Sequence, residues 1–200
     1  MTEHATTGTD NQHVEYIEQR GRYADEMAEG QVYLHRPGRT LTEADNVAFT
    51  TLTMNPQALH LDHAFAATQP FGKPLMNSMM TLSTLVGLAV GQTTQGTLVA
   101  QLGLGEIAFP APVFHGDTLY AQSRVAQIRE SSSRPGQRIV TFEMEGTNQR
   151  GETVVRCQRV CLMWTKQAHE DAKAAARVAA ASAGTDDATA ADGEQAGEHA

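Results

Sequence analysis

The sequence predicts an α+β fold in which an antiparallel sheet wraps around one long central helix. Three observations predict it. Ser78 to Val90 carries Met79, Met80, Leu82, Leu85, Val86, Leu88 and Val90 with no clear polar face, and a helix apolar nearly all round is a buried one. After Gly96 the texture changes to an alternation of period two, the signature of half-buried strands, and it recurs in four successive stretches. One buried helix followed by a run of antiparallel strands is an α+β order of elements. The chain's 200 residues, 40% of them hydrophobic, suffice for one domain with a real core and two polar ends.

Each element has a local reason. Residues 1–20 are polar and aperiodic, so a disordered N-terminal segment is expected, with docking from about Tyr23. Gln31 to His35 alternates and reads as a strand. Thr42, with Asp45 three residues on, has the form of a capping box, and Val47, Phe49 and Leu52 give the helix that follows an apolar side. A long loop then carries a short helical piece over Asp62 to Thr68, punctuated by Pro70 and Pro74. Past the buried helix, strands are expected over Thr97 to Phe109, Thr118 to Arg129, Arg138 to Gly146 and Thr153 to Thr165. Asn148 to Gly151 is turn material, and Gly103 and Gly105 suggest a bulge. The organisation is therefore a disordered segment at 1–20, one domain over 21–166, and a disordered acidic, alanine-rich tail over 167–200. Part of that tail, Glu170 to Ala181, has the composition of a transient helix. It has too little apolar surface to join the core, so deleting Ala168 to Ala200 should leave stability and activity nearly unchanged.

Charge excludes some functions. The formal net charge is −8, and from Ala168 onward seven carboxylates face only Lys173 and Arg177, a net −5 that leaves −3 for the body. A near-neutral body without a basic stripe argues against nucleic acid as a partner. No apolar run reaches membrane-spanning length, and the polar, acidic N-terminus does not look like a secretory signal, so the cytoplasm is the expected compartment. Cys157 and Cys161 fall on one face of a strand, too far apart along it to bridge easily, and read as reduced packing residues.

Chemistry concentrates in Thr53 to Ala67. His60 follows an irregular, proline-containing segment, Asn55 lies five residues before it and Asp62 two after it. A neutral imidazole beside a polar amide can hold and deprotonate a water. On spacing alone His60 fits a capping role as well, and Asp62 fits a helix N-cap better than a base. Asn77 and Ser78 open the buried helix, where N–H groups without intrahelical partners can hold a developing oxyanion or simply be capped; the two roles can coexist. His115 reads as a turn residue. His35, His60, His63 and His115 show no repeated metal-ligand spacing, and no metal is expected. There is no glycine-rich phosphate loop and no Gly-x-Ser-x-Gly elbow.

Taken together, Leu41-Thr-Glu-Ala-Asp45, Leu59-His-Leu-Asp62, Phe65-Ala-Ala67, Phe71-Gly72 and Pro74 before a buried helix, then Phe109-Pro-Ala-Pro-Val-Phe-His-Gly-Asp117 after it, resemble the MaoC-like dehydratase family. The resemblance spans roughly Gly30 to Met163. It implies a hot-dog fold that dimerises, or assembles further, through its sheet, with an acyl-CoA site near the subunit interface. It also implies reversible addition of water to a 2-enoyl-CoA. In that family an aspartate and a histidine five residues apart handle the water, and a His-Gly pair at the start of the buried helix binds the thioester oxygen through the glycine amide. Here His60 matches. Asn55 stands for the aspartate, Gln57 and Ala58 replace the following Asn-Pro, and Asn77-Ser78 replaces His-Gly. These departures resemble the mesaconyl-CoA hydratase (methylmalyl-CoA dehydratase) branch. By that resemblance His60 and Asn55 are the catalytic pair, Ser78 and Asn77 hold the thioester oxygen, and Asp62 and Gln57 support them. Asn cannot accept a proton at neutral pH, so His60 has to be the principal acid/base.

The expected function is hydration or dehydration of a short, branched or dicarboxylic acyl-CoA, with coenzyme A part of the substrate and no separate cofactor. Two alternatives remain: an acyl-CoA thioesterase, which needs a carboxylate on the central helix that Ser78 to Val90 lacks, and a non-catalytic acyl-CoA-binding module, motivated by the missing aspartate.

Overall fold

The computed structural model describes residues 14–190, with side chains through Ser182. Segment 78–93 folds as a helix because its apolar side chains find a sheet on several sides. The elements in order are β1 (Val32–Thr40), α1 (Glu43–Leu52), α2 (Ala58–Leu61), α3 (His63–Ala67), α4 (Ser78–Thr93), β2 (Leu98–Ala108), β3 (Thr118–Glu130), β4 (Gln137–Thr147), β5 (Thr153–Trp164) and α5 (Lys166–Ala190). The five strands form one antiparallel sheet in the order β1-β3-β4-β5-β2. Met80, Leu82, Leu85 and Ala89 of α4 pack with Leu119, Val125, Val140, Phe142, Val155 and Cys161 of the sheet. Met79, read with Met80 as core, is instead about half exposed, at 49%. Cys157 and Cys161 are both buried and unpaired, and burial raises the pKa of each thiol.

Strand β1 runs further than its alternation suggested, to Thr40, with a register shift between His35 and Arg39. Pro37 is tolerated there because β1 is an edge strand. Gly38 is required by the close approach of Tyr120, whose ring carbons lie 2.6 Å from where a Cβ would sit. Register also shifts between Gln101 and Gly103 and between Gly105 and Ala108, at the glycines read as a bulge.

The Thr42–Asp45 capping box forms: the Asp45 N–H donates to Thr42 Oγ1 at 3.2 Å, and the Thr42 N–H to Asp45 Oδ2 at 2.9 Å. Of the apolar side expected for the helix it starts, Phe49 packs against the core but Val47 and Leu52 do not. Val47 and Leu52 are 40% and 83% exposed, and the fully buried residues of α1 are the polar pair Asn46 and Thr50. They lie one turn apart on one face, and what they bury against is backbone that needs hydrogen-bond partners.

The two ends also need comment. Residues 14–20 have no regular structure, and Val14, Tyr16 and Ile17 are exposed. Docking begins with the Gly21 N–H to Gln95 O at 2.7 Å and the Arg22 N–H to Thr93 O at 3.0 Å, and it buries Tyr23 and Ala24. Residues 1–13 and 191–200 of the expected disordered ends lie outside the described residues. The disordered tail beginning at residue 167 is corrected by α5, whose first turn is attached to the domain. The Lys166 N–H donates to Asp25 Oδ1 at 3.0 Å. The His169 ring stacks on Trp164, centroids 5.3 Å apart at 6°, and meets Tyr23 edge-on at 5.7 Å. The missed signal was a single aromatic side chain, since the alanine-rich remainder has little to pack.

This docking changes the truncation expected to be harmless. Deleting residues 173–200 should leave the melting temperature unchanged. Deleting residues 168–200 removes the His169 stack and should cost about 1–2 kcal/mol, roughly 3–6 °C. Equal melting temperatures for the two truncations, by calorimetry, would show that the stack contributes nothing.

Candidate active site

The sequence picks out His60, but the element that carries it is too short to show as periodicity. Gln57 Oε1 accepts from the Leu59 N–H at 3.4 Å and caps α2, a single turn ending at Leu61. His60 is half-buried there, and its Nδ1 lies 2.9 Å from the carbonyl oxygen of Leu75. A carbonyl only accepts, so Nδ1 carries the proton and the neutral ring keeps its lone pair on Nε2. That is the tautomer a general base requires.

Asn46 holds this arrangement and was not singled out from the sequence. It is fully buried. Its Oδ1 accepts from the backbone N–H of Asn77 at 2.8 Å. Its Nδ2 lies 3.0 Å from the carbonyl oxygen of His60, 3.1 Å from that of Leu75 and 3.1 Å from Nε2 of His115. One side chain thus joins the histidine turn, the strand segment before α4, the first residue of the α4 cap and the loop between β2 and β3. Thr50 does related work one turn on. Its Oγ1 accepts from Nδ2 of Asn77 at 3.2 Å, and its carbonyl accepts the N–H of Asn55 at 3.0 Å.

The other candidate residues fall into place around these two. Asn77 caps α4, with Oδ1 accepting from the Met79 N–H at 3.0 Å. The N–H of Ser78, in the first helical position, has no intrahelical partner, and Ser78 is exposed. Asn55 is half-buried; its Oδ1 turns back to accept the Gln57 N–H at 3.0 Å, and no hydrogen bond joins it to His60. Asp62 caps α3 by accepting from the Phe65 N–H at 2.9 Å and is exposed, the capping role its position favours. Gln57 likewise acts as a cap. His115 is more than the turn residue expected: burial holds its pKa below the ordinary value, against an upward pull from Glu43 and with a further push down from His63.

A cavity of about 270 Å³ opens beside Ser78 and is walled by Phe71, Leu75, Met76, Phe109 and Val113. A larger one of about 630 Å³ lies at the far end of α4, near Leu88, Gly91 and Gln92, away from His60. The smaller cavity is the one contiguous with the site, because Leu75 and Ser78 belong to both. The arrangement offers a neutral imidazole base, a free helix-start N–H for an oxyanion and an apolar wall.

A profile of the MaoC like domain matches residues 25–148. The chain belongs to the MaoC-like domain family. Over 87 residues it is 39% identical to an (R)-specific enoyl-CoA hydratase of Aeromonas caviae, an alignment covering 44% of this chain and 63% of that one. Over 142 residues it is 29% identical to a mesaconyl-CoA hydratase of Haloarcula marismortui, covering 70% of this chain and 39% of that one. The chain thus spans less than two thirds of the length of either relative. Among solved structures, Rv0216 of Mycobacterium tuberculosis, described as a double hot-dog fold, superposes with a TM-score of 0.67 at 24% identity, over 75% of this chain and 46% of that one. This MaoC-like chain is a hot-dog fold. Among the described residues, no helix is long and apolar enough to cross a membrane.

Asn46→Ala should be among the most destabilising single changes in this MaoC-like domain. It removes the partners of the Asn77 N–H and the His60 carbonyl and leaves the Leu75 carbonyl with His60 Nδ1 alone, and each unsatisfied buried group costs about 1–3 kcal/mol. A loss of about 3 kcal/mol or more is expected from urea unfolding midpoints. A loss below about 1 kcal/mol would mean that Asn46 is not the hub.

Proposed function

We propose that this chain catalyses the reversible addition of water to a 2-enoyl-CoA thioester, with His60 as acid/base. The observation that carries the reading is the His60 tautomer: Nδ1–H is committed to Leu75 O at 2.9 Å, so Nε2 is the basic nitrogen. In the hydration direction His60 Nε2 takes a proton from water as the water oxygen bonds to C3 of the enoyl group. Electron density moves through C2 onto the thioester oxygen, where the Ser78 N–H and the start of α4 favour negative charge. The imidazolium then returns the proton to C2, and the sum is the addition of one water. Asn55 orients water or substrate and does not ionise. Coenzyme A enters as part of the substrate, and no separate cofactor takes part.

The acyl group is short, branched or dicarboxylic. Two things support this: the resemblance of Thr53-Met-Asn-Pro-Gln57 to the mesaconyl-CoA hydratase branch, and an amide where a carboxylate would repel an acyl-chain carboxylate. Crotonyl-CoA and mesaconyl-CoA should both lose or gain enoyl absorbance without release of free thiol. Thiol release would instead indicate a thioesterase, and no change with either substrate a binding module. His60→Ala should lower turnover by about two orders of magnitude or more while the fold persists. A folded, fully active variant would remove His60 from the mechanism.

Asn55→Asp gives a pH test. The added negative charge near His60 favours the imidazolium and raises the histidine pKa. Because the neutral form is the base, the acidic limb of the pH–rate profile should move to higher pH, and preference should shift from mesaconyl-CoA toward crotonyl-CoA. An unchanged profile together with unchanged preference would place Asn55 outside the site.

The same reading includes a homodimer or higher homo-oligomer, working in the cytoplasm. Its support is the free side of edge strand β2, where Leu102, Leu104 and Ile107 are 52%, 37% and 42% exposed. An 11-residue apolar edge is a template for pairing. Light scattering should give at least twice the chain mass of 21.6 kDa, and a monomer at micromolar concentration would count against it.

A further inference from the structure

Outside the proposed active site, the fold gathers three metal-ligating side chains that are far apart in sequence. Glu43 is the first residue of α1, His63 the first of α3, and His115 sits in the loop between β2 and β3. That loop is clasped to the chain just ahead of α1: the Leu41 N–H donates to Asp117 O at 2.8 Å, and the Gly116 N–H to Leu41 O at 2.7 Å. The clasp brings His115 beside Glu43. His63 Nε2 lies 2.7 Å from Glu43 Oε1, and the two imidazole rings are 6.2 Å apart. One donor atom from each of the three residues lies within 4.8 Å of the others. We propose that Glu43, His63 and His115 form a binding site for a divalent transition-metal ion of the zinc type.

The donor chemistry selects the ion. Two imidazoles and one carboxylate suit zinc and its neighbours, whereas magnesium and calcium require oxygen donors. Zinc bonds of about 2.0–2.2 Å put tetrahedral ligand atoms roughly 3.3 Å apart, so the widest separation has to close by about 1.5 Å. Glu43 and His63 can supply that movement, since their side chains are 56% and 60% exposed. The fourth position is left to water.

His115 is available without cost to the active-site scaffold. A neutral imidazole bound to a metal through either nitrogen carries its proton on the other, so an ion displaces the contact between Asn46 Nδ2 and His115 Nε2 in either mode. Asn46 Nδ2 has two hydrogens but three acceptors within 3.1 Å. With His115 withdrawn, the carbonyls of His60 and Leu75 still take both hydrogens. The ion therefore ties α1, α3 and the β2–β3 loop together while the contacts that orient His60 stay in place.

The test is calorimetric titration of the chelator-treated full chain, without an affinity tag, against zinc chloride, alongside His63→Ala and Glu43→Gln. The parent should bind one zinc ion that both variants bind at least tenfold more weakly, zinc should raise the melting temperature of the parent more than that of either variant, and calcium and magnesium should do neither. Histidines elsewhere in the chain are common to all three proteins and cancel in the comparison. Absence of zinc binding by the parent, equal binding in parent and both variants, or equal response to calcium would overturn the proposal.

Discussion

Four segments of this chain meet at the carboxamide of Asn46, and the geometry of the candidate site depends on that meeting. The side chain is fully buried, accepts from the Asn77 N–H and donates toward the carbonyls of His60 and Leu75. A polar group removed from water is tolerated only when its partners replace the water, and the same condition makes the arrangement specific. Leu or Val at this position would leave the Asn77 N–H and the His60 carbonyl unpaired and the Leu75 carbonyl with only His60 Nδ1. The apolar moment of α1 is therefore subordinate to hydrogen bonding, which is why Leu52 can stand 83% exposed while Thr50 is buried.

The candidate site is built on this scaffold through Leu75. Its carbonyl oxygen lies 2.9 Å from His60 Nδ1 and 3.1 Å from Asn46 Nδ2, and its N–H donates to Leu59 O at 3.2 Å. Held from both sides, it fixes the tautomer and the ring orientation of His60 together. Two residues later Asn77 caps α4, so the imidazole and the helix start are referenced to one short extended segment. The imidazole and the start of α4 are thus positioned by the same few hydrogen bonds.

What could be read from sequence follows the reach of each interaction. The Thr42–Asp45 box and the four strands depend on contacts within a few residues or on a two-residue period, and both form at nearly the expected places. The helix at Ser78 shows because a buried apolar run is visible in any window, though it extends to Thr93. His60 stood out by its motif, but α2, four residues long, is below the length at which periodicity means anything. Asn46 and Thr50 were hidden because they look like the polar side of an amphipathic helix; only the fold shows that this side faces unpaired backbone. The Glu43, His63 and His115 cluster was invisible for another reason, since no local spacing relates residues brought together by a loop clasp.

The division of labour on α1 bears on how such a domain can vary. Asn46 and Thr50 anchor Asn55, His60, Leu75 and Asn77 from one face of the helix, and the cavity beside Ser78 is walled by Leu75 and Met76 of that anchored segment together with Phe71, Phe109 and Val113. The bond that holds the imidazole is to the Leu75 backbone, so a change of side-chain size at Phe71, Phe109 or Val113 alters the cavity without removing that bond. Asn55 is tied to the same scaffold by its backbone N–H on the Thr50 carbonyl, and its side chain is half-buried.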